Sequence, residues 1–135
     1  MLCTGNSCRS QMAEGWINHL LGEGWLAKSA GTAPAERVHP LAVRAMAEVG
    51  VDISTAVPQH VDERLADPWD LVVTVCDSAY ETCPVFPGRV ERLHVSFSDP
   101  ASAEGTEAER TTVFRRVRDE IRERLLPLIS ATRRS

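Results

Sequence analysis

Cys3-Thr4-Gly5-Asn6-Ser7-Cys8-Arg9-Ser10 runs straight into an amphipathic stretch, so a cysteine and an arginine bracket a short loop at a helix start. A loop that curls over a helix N-terminus aims several backbone N–H groups at one point, and the helix dipole adds partial positive charge there. Arg9 contributes a planar fork matched to a tetrahedral oxyanion. Gly5 and Asn6 are residue types that tolerate the positive φ a tight anion-binding loop asks for. Such a field favours a thiolate over a thiol, which makes Cys3 the candidate nucleophile. Thr4, Gly5, Asn6, Ser7, Cys8, Arg9 and Ser10 form the candidate oxyanion cradle. Ser10 is placed either to cap the helix or to hydrogen-bond the Cys3 sulfur.

Outward from the loop, Met12, Trp16 and Leu20, with Ala13, Ile17 and Leu21, recur at helical spacing and predict a helix over 10–21. Leu26 to Ser29 reads as a short strand before a turn at Gly31. Pro40 at the first helical position starts a second helix, which runs through Val49 and stops at Gly50. Leu71-Val72-Val73-Thr74-Val75 is a β-branched run of the kind buried on both faces of a parallel sheet. Cys76 follows at its carboxyl end, where open α/β sheets gather ligands. Leu93 to Phe97 gives another strand, with Ser98-Asp99-Pro100 at the same edge, whereas the Cys76–Cys83 segment shows no strong helical or strand pattern.

The last helix opens on a capping-box pattern, Thr106-Glu107-Ala108-Glu109, and carries Val113, Val117, Ile121 and Leu125 on one face. Pro127 is expected to kink or end it. Its charged side, with Arg115, Arg116, Arg118, Glu120 and Arg122, reads as a solvated surface. Strands alternating with helices predict an α/β fold, a small doubly wound parallel sheet flanked by helices, within one domain spanning 1–135.

The chain of 135 residues, 43% hydrophobic, is long enough for one genuine core. Net charge −4, a pI near 5.5 and dispersed basic residues argue against a nucleic-acid partner. Arg133 and Arg134 read as a frayed tail. No apolar stretch approaches the roughly 20 residues of a membrane span, and no signal-peptide pattern opens the chain, so a cytoplasmic location is expected. Thiols stay reduced there, which turns Cys3, Cys8, Cys76 and Cys83 toward catalytic, redox or metal roles.

Cys8 suits loop packing. Zinc is not expected, because the Cys76–Cys83 gap is wide and His19, His39, His60 and His94 are scattered; no metal site is assigned. Cys76 and Cys83 remain open between buried fillers and a dithiol able to close into a disulfide. Asp99 could be a turn residue before Pro100, yet its place at a strand end suits an acid that protonates a departing oxygen.

Cys3 to Trp16, Ser29-Ala30-Gly31, Asp52-Ile53-Ser54, Asp70 to Cys76, Cys83-Pro84, Asp99-Pro100-Ala101 and Val117 to Ile121 together give a chain that resembles the thioredoxin-coupled arsenate reductases, which share the low-molecular-weight protein tyrosine phosphatase fold. The resemblance implies attack of Cys3 on arsenate held by the loop and Arg9, with Asp99 protonating the leaving hydroxide. It implies a Cys3–Cys76 disulfide on release of arsenite, its transfer to Cys76–Cys83, and reduction by thioredoxin, with no bound cofactor. A monomer is the expected state where the full fold is present. A phosphotyrosine phosphatase is the nearest alternative, but Ala101 and Ser102 stand after the Asp-Pro pair where those enzymes place aromatic residues. A non-catalytic thiol sensor built on Cys76 and Cys83 would leave Arg9 and Asp99 without a role.

Two departures from the resemblance carry expectations of their own. Only Met1 and Leu2 precede the loop, so the first strand is expected to be missing from this chain. Asn6, Glu14 and Ser29 match a cation site of some relatives, but Val57 and Gln59 replace oxygen ligands, so potassium dependence should be weak or absent.

Overall fold

Short strands separated by helices cannot pair as hairpins, and each strand here lies parallel to its neighbours. The computed structural model describes residues 1–88 and 90–132; Arg133 and Arg134 lie outside the described residues. Four strands, β1 (Leu2–Cys3), β2 (Ala30–Gly31), β3 (Leu71–Thr74) and β4 (Glu91–His94), form one sheet in the order β2-β1-β3-β4. Four helices, α1 (Arg9–Leu20), α2 (Pro40–Ala47), α3 (Asp77–Thr82) and α4 (Glu107–Thr132), flank it, giving the α/β architecture expected. A first strand is thus present, though it is two residues long, and it is central. Leu2 pairs Ala30 on one side and Thr74 on the other, and the Leu2 carbonyl accepts from the Val75 N–H at 2.9 Å.

Strand pairing is seen at Ala30–Gly31 rather than at 26–29, with Ala30 in register with Leu2 and Gly31 with Cys3. A cavity of about 270 Å³, lined by Leu26, Ala30, Trp69, Leu71 and Val72 among others, occupies the space beyond. It contains none of the candidate site residues.

Met12, Ile17, Met46, Phe114, Ile121 and Leu125 are fully buried where α1, α2 and α4 meet. The capping box holds: Thr106 Oγ1 accepts from the Glu109 N–H at 3.1 Å, and Glu109 Oε1 accepts from the Thr106 N–H at 3.2 Å. Of the two outcomes expected at Pro127, a kink or an end, the end does not occur: α4 continues to Thr132. A helix-interior proline costs about 3 kcal/mol, and burial of Leu125, Leu126 and Ile129 around it offsets that cost.

The charged face of α4 also differs from its reading as solvated. Arg118 is buried, and its Nη1 donates to the Ala45 carbonyl at 2.9 Å and to Glu48 at 3.0 Å, tying α4 to α2.

Candidate active site

β1 ends at Cys3 and α1 begins at Arg9, so the loop between them is pinned at both ends. Its outer side is fixed by the following chain: the carbonyls of Cys3, Thr4, Gly5 and Ser7 accept from the N–H groups of Thr32, Ala33, Ala35 and His39 at 2.8–3.2 Å. Across a trans peptide the next N–H points opposite to each carbonyl, so turning these carbonyls outward turns loop N–H groups inward. The Asn6 N–H accordingly donates to the Cys3 sulfur at 3.2 Å.

Asn6 takes φ 51°, the left-handed region, as its residue type suggested; Gly5 is not among the positive-φ residues. Gly31 is the glycine the loop cannot do without. A Cβ there would stand 2.4 Å from the Thr4 carbonyl oxygen.

Behind the loop runs a buried hydrogen-bond chain. Asn6 Oδ1 accepts from Gln11 Nε2 at 3.1 Å and from the Gln59 N–H at 2.9 Å, while Asn6 Nδ2 donates to Ser10 Oγ at 2.8 Å. Ser10 Oγ lies 2.8 Å from the Cys3 sulfur, and since it accepts from Asn6 its own proton is left for that sulfur. Ser10 therefore serves Cys3 and not the helix cap, which has no side-chain hydrogen bond. Cys3, Asn6, Ser10 and Gln11 are all buried.

Two of the positions matched to the cation site are occupied or altered. Asn6 Oδ1 accepts from two N–H donors, and the Val57 side chain offers no oxygen.

Arg9 reaches across to β4's exit, where its Nη1 donates to the Phe97 carbonyl at 3.1 Å and its Nη2 lies 4.0 Å from Asp99 Oδ2. Asp99 is a turn residue whose second oxygen is turned to Arg9. Oδ1 accepts from the Ala101 N–H at 3.0 Å as a turn residue would, and the other oxygen faces Arg9 with the side chain 45% exposed. Cys8 is buried, and burial pushes its thiol up to about 12, in keeping with packing.

The Cys76–Cys83 segment, unreadable in sequence, contains the helix α3. Cys76 is its N-cap: its sulfur accepts from the Ala79 N–H at 3.4 Å and lies 3.5 Å from Thr4 Oγ1, which links it to the loop. Cys83 sits half-buried at the other end, with Arg92 Nη1 donating to its sulfur at 3.4 Å. All four thiols are free. A cavity of about 460 Å³ is lined by Thr4, Arg9 and Cys76 together with Asp77, Ser96 and Phe97; Asp99 and the buried Cys3 are not among its lining residues. Cys83 does not line it. The sequence reading gave no site role to Gly31, Gln11 or Arg92, although Gly31 and Gln11 fall in the quoted Ser29-Ala30-Gly31 and Cys3-to-Trp16 blocks, the signal that could have marked them.

A free thiol under an inward-facing amide loop, with a guanidinium and a carboxyl facing each other at the rim, defines a class of enzyme that takes a tetrahedral oxyanion onto sulfur. The comparisons with known proteins agree. The family model described as low molecular weight phosphotyrosine protein phosphatase matches residues 1–135, and the chain belongs to that family. It is 54% identical over 124 residues to an arsenate reductase of Halalkalibacterium halodurans, covering 92% of this chain and 88% of that one. A solved arsenate reductase in its phosphate-binding state superposes with TM-score 0.79 at 35% identity, over 97% of this chain and 95% of the other. A thioredoxin-dependent arsenate reductase of Corynebacterium glutamicum does so with TM-score 0.72 at 27% identity, over 97% of this chain but 58% of that longer one.

Proposed function

We propose that this chain is an arsenate reductase that works through Cys3, Cys76 and Cys83 and is returned to its thiol form by thioredoxin. The observation that carries the reading is the placement of Cys76, whose sulfur touches Thr4 of the oxyanion loop while capping a helix that ends at Cys83. A phosphatase of this fold needs Cys3, Arg9 and Asp99 but no second and third thiol.

The geometry supports the following sequence. The Cys3 sulfur attacks arsenic in an arsenate held by the loop N–H groups and Arg9, and Asp99 gives a proton to the departing hydroxide, which leaves as water. Cys76, whose sulfur accepts from the Ala79 N–H and lies beside the Thr4 hydroxyl of the loop, attacks the Cys3 sulfur. The S–S bond forms, the S–As electron pair passes to arsenic, and arsenate leaves reduced as arsenite.

Cys83 then attacks Cys76 and frees Cys3. Cys76 and Cys83 lie seven residues apart across α3, roughly 10 Å along a helix axis at 1.5 Å per residue. A disulfide needs Cα atoms within about 6.8 Å, so α3 must at least partly unwind for this exchange. A thioredoxin dithiol then attacks the disulfide carried on the rearranged segment.

The reaction asks for no bound cofactor, and turnover should depend little on potassium. Weak phosphatase activity is expected as a by-product, since phosphate shares the shape and charge of arsenate. Among the described residues no helix is long and apolar enough to cross a membrane. The test is NADPH consumption by the purified chain with thioredoxin and thioredoxin reductase. Consumption that starts on adding arsenate and not phosphate supports the reading; none from a folded chain that hydrolyses p-nitrophenyl phosphate would replace it with the phosphatase.

A further inference from the structure

α3 has six residues, too few to hold a helix by itself in water. Its N-cap is Cys76, and two of its side chains, Asp77 and Tyr80, meet one residue outside the segment, His94 at the end of β4. His94 Nε2 lies 3.0 Å from Asp77 Oδ1, its Nδ1 lies 2.7 Å from Thr74 Oγ1 at the end of β3, and its ring stacks on Tyr80 with centroids 4.4 Å apart. The roles follow from the partners. An ionised carboxylate only accepts, so Nε2–H donates to Asp77; in the neutral ring Nδ1 is then the acceptor, and the Thr74 hydroxyl donates to it. Asp77 is held below the usual carboxylate range, chiefly by this hydrogen bond and next by the Ser96 hydroxyl.

We infer that His94 is a positioning residue that clasps α3 in its dithiol form and so sets how strongly the Cys76–Cys83 pair resists closing into a disulfide. The inference rests on the proposed role of these two cysteines as a dithiol couple. Closing the disulfide shortens the span from Cys76 to Cys83, and both clasped residues, Asp77 and Tyr80, lie within it. Contacts made to the intact helix therefore stabilise the dithiol and are lost, wholly or in part, on oxidation. Their energy appears in the equilibrium constant for thiol–disulfide exchange. His94 touches neither Cys3 nor the loop, so oxyanion chemistry at Cys3 is independent of it.

The experiment is a redox titration of the purified chain in buffers of reduced and oxidised dithiothreitol, read by mass after thiol blocking and peptide mapping. The couple then gives two electrons and two protons to a low-molecular-weight disulfide, and arsenate is not needed. His94→Ala is expected to favour the Cys76–Cys83 disulfide by threefold to tenfold, a potential about 14–30 mV more negative. Hydrolysis of p-nitrophenyl phosphate should stay unchanged, because it uses Cys3, the loop, Arg9 and Asp99, whereas the His94 side chain meets Thr74, Asp77 and Tyr80.

His94→Phe, which keeps ring bulk against Tyr80 but loses both hydrogen bonds, is expected to shift the couple in the same direction by less, and it carries the test should His94→Ala lose phosphatase activity. Equal exchange constants, within twofold, for wild type and the folded variants would overturn the clasp, as would a shift toward the dithiol. If the wild type forms no Cys76–Cys83 disulfide, both the clasp and the relay fail. A shifted couple in a chain that consumes no NADPH with arsenate would retain the clasp and remove the reductase.

Discussion

The segments Cys3–Ser10 and Cys76–Cys83 have the same length and the same local plan, a cysteine after a parallel strand that leads into a helix, but they are held in opposite ways. The first has Cys3, Asn6, Cys8 and Ser10 buried and is tied from outside by four backbone hydrogen bonds and from behind by the Gln11-Asn6-Ser10 chain. The second has Tyr80 at 61% exposure and Val85 just beyond it at 86%, and its helix is tied by Cys76's own cap and the His94 contacts. The difference matches what the proposed mechanism asks of each sulfur. Stabilising charge on a bound oxyanion rewards donors that are already in place and cannot relax. Passing a disulfide from Cys76 to Cys83 requires the segment to change shape, so it can be held by only a few removable contacts.

The largest expected effect separates the two chemistries. Cys3→Ser should lower both arsenate-dependent NADPH consumption and p-nitrophenyl phosphate hydrolysis by about 10³-fold or more, the scale on which losing a nucleophile is felt. Cys83→Ser should lower only the first, leaving one turnover per chain and an undiminished phosphatase rate. Full thioredoxin-coupled turnover by Cys83→Ser would erase the distinction between loop and relay.

Next in size is a test of rigidity. Gly31→Ala places a Cβ against the Thr4 carbonyl, which is backbone and cannot swing away. The loop must shift, and displacement near 1 Å costs about 10²-fold, so both activities should fall together in steady-state assays. Retention of either rate would mean that the loop yields more easily than its hydrogen bonds suggest.

A smaller contrast concerns the cysteines themselves. At pH 8 a limited dose of iodoacetamide should modify half-buried Cys83 well before Cys8, whose thiol is buried and pushed up to about 12. Peptide mass mapping reads the order, and early modification of Cys8 would show that the loop opens.

How far these features were legible depended on whether their cause lay nearby in the chain. The loop was readable because Cys3, Asn6 and Ser10 act on one another within eight residues and Arg9 follows in the same run. Leu71–Thr74 and the Thr106–Glu109 cap were equally local. Gly31 was not, because the carbonyl that forbids a side chain there belongs to Thr4, 27 positions earlier. α3 was hidden for the same reason: its side-chain cap is a cysteine, a type not ranked among N-caps, and its clasp is on another strand. β2 shifted from 26–29 to Ala30–Gly31 because a strand exists only where a partner does. Arg118 looked solvated in the helix pattern, yet α2 covers it.

That last case gives the smallest prediction, and it concerns the scaffold that supports both segments. Glu48 is paired with Arg115 at 2.6 Å and with Arg118 at 3.0 Å, and these two, Arg115 foremost, hold its carboxyl at about 2. A carboxylate depressed in the fold stabilises it above the unfolded pKa, and the contribution fades as pH falls from about 4.5 toward about 2. Glu48 and Arg115 are partly solvent-exposed, so screening keeps the whole contribution to about 1 kcal/mol. Arg118 still has Asp119 and the Ala45 carbonyl when Glu48 is gone. Glu48→Gln should therefore lower stability by about that much at pH 7 in urea unfolding, with the gap to wild type closing in acid. A gap that stays constant down to pH 2.5 would assign the loss to packing rather than charge. In either case the phosphatase rate at Cys3 should not change, because the loop draws its rigidity from its own hydrogen bonds and not from the α2–α4 seam.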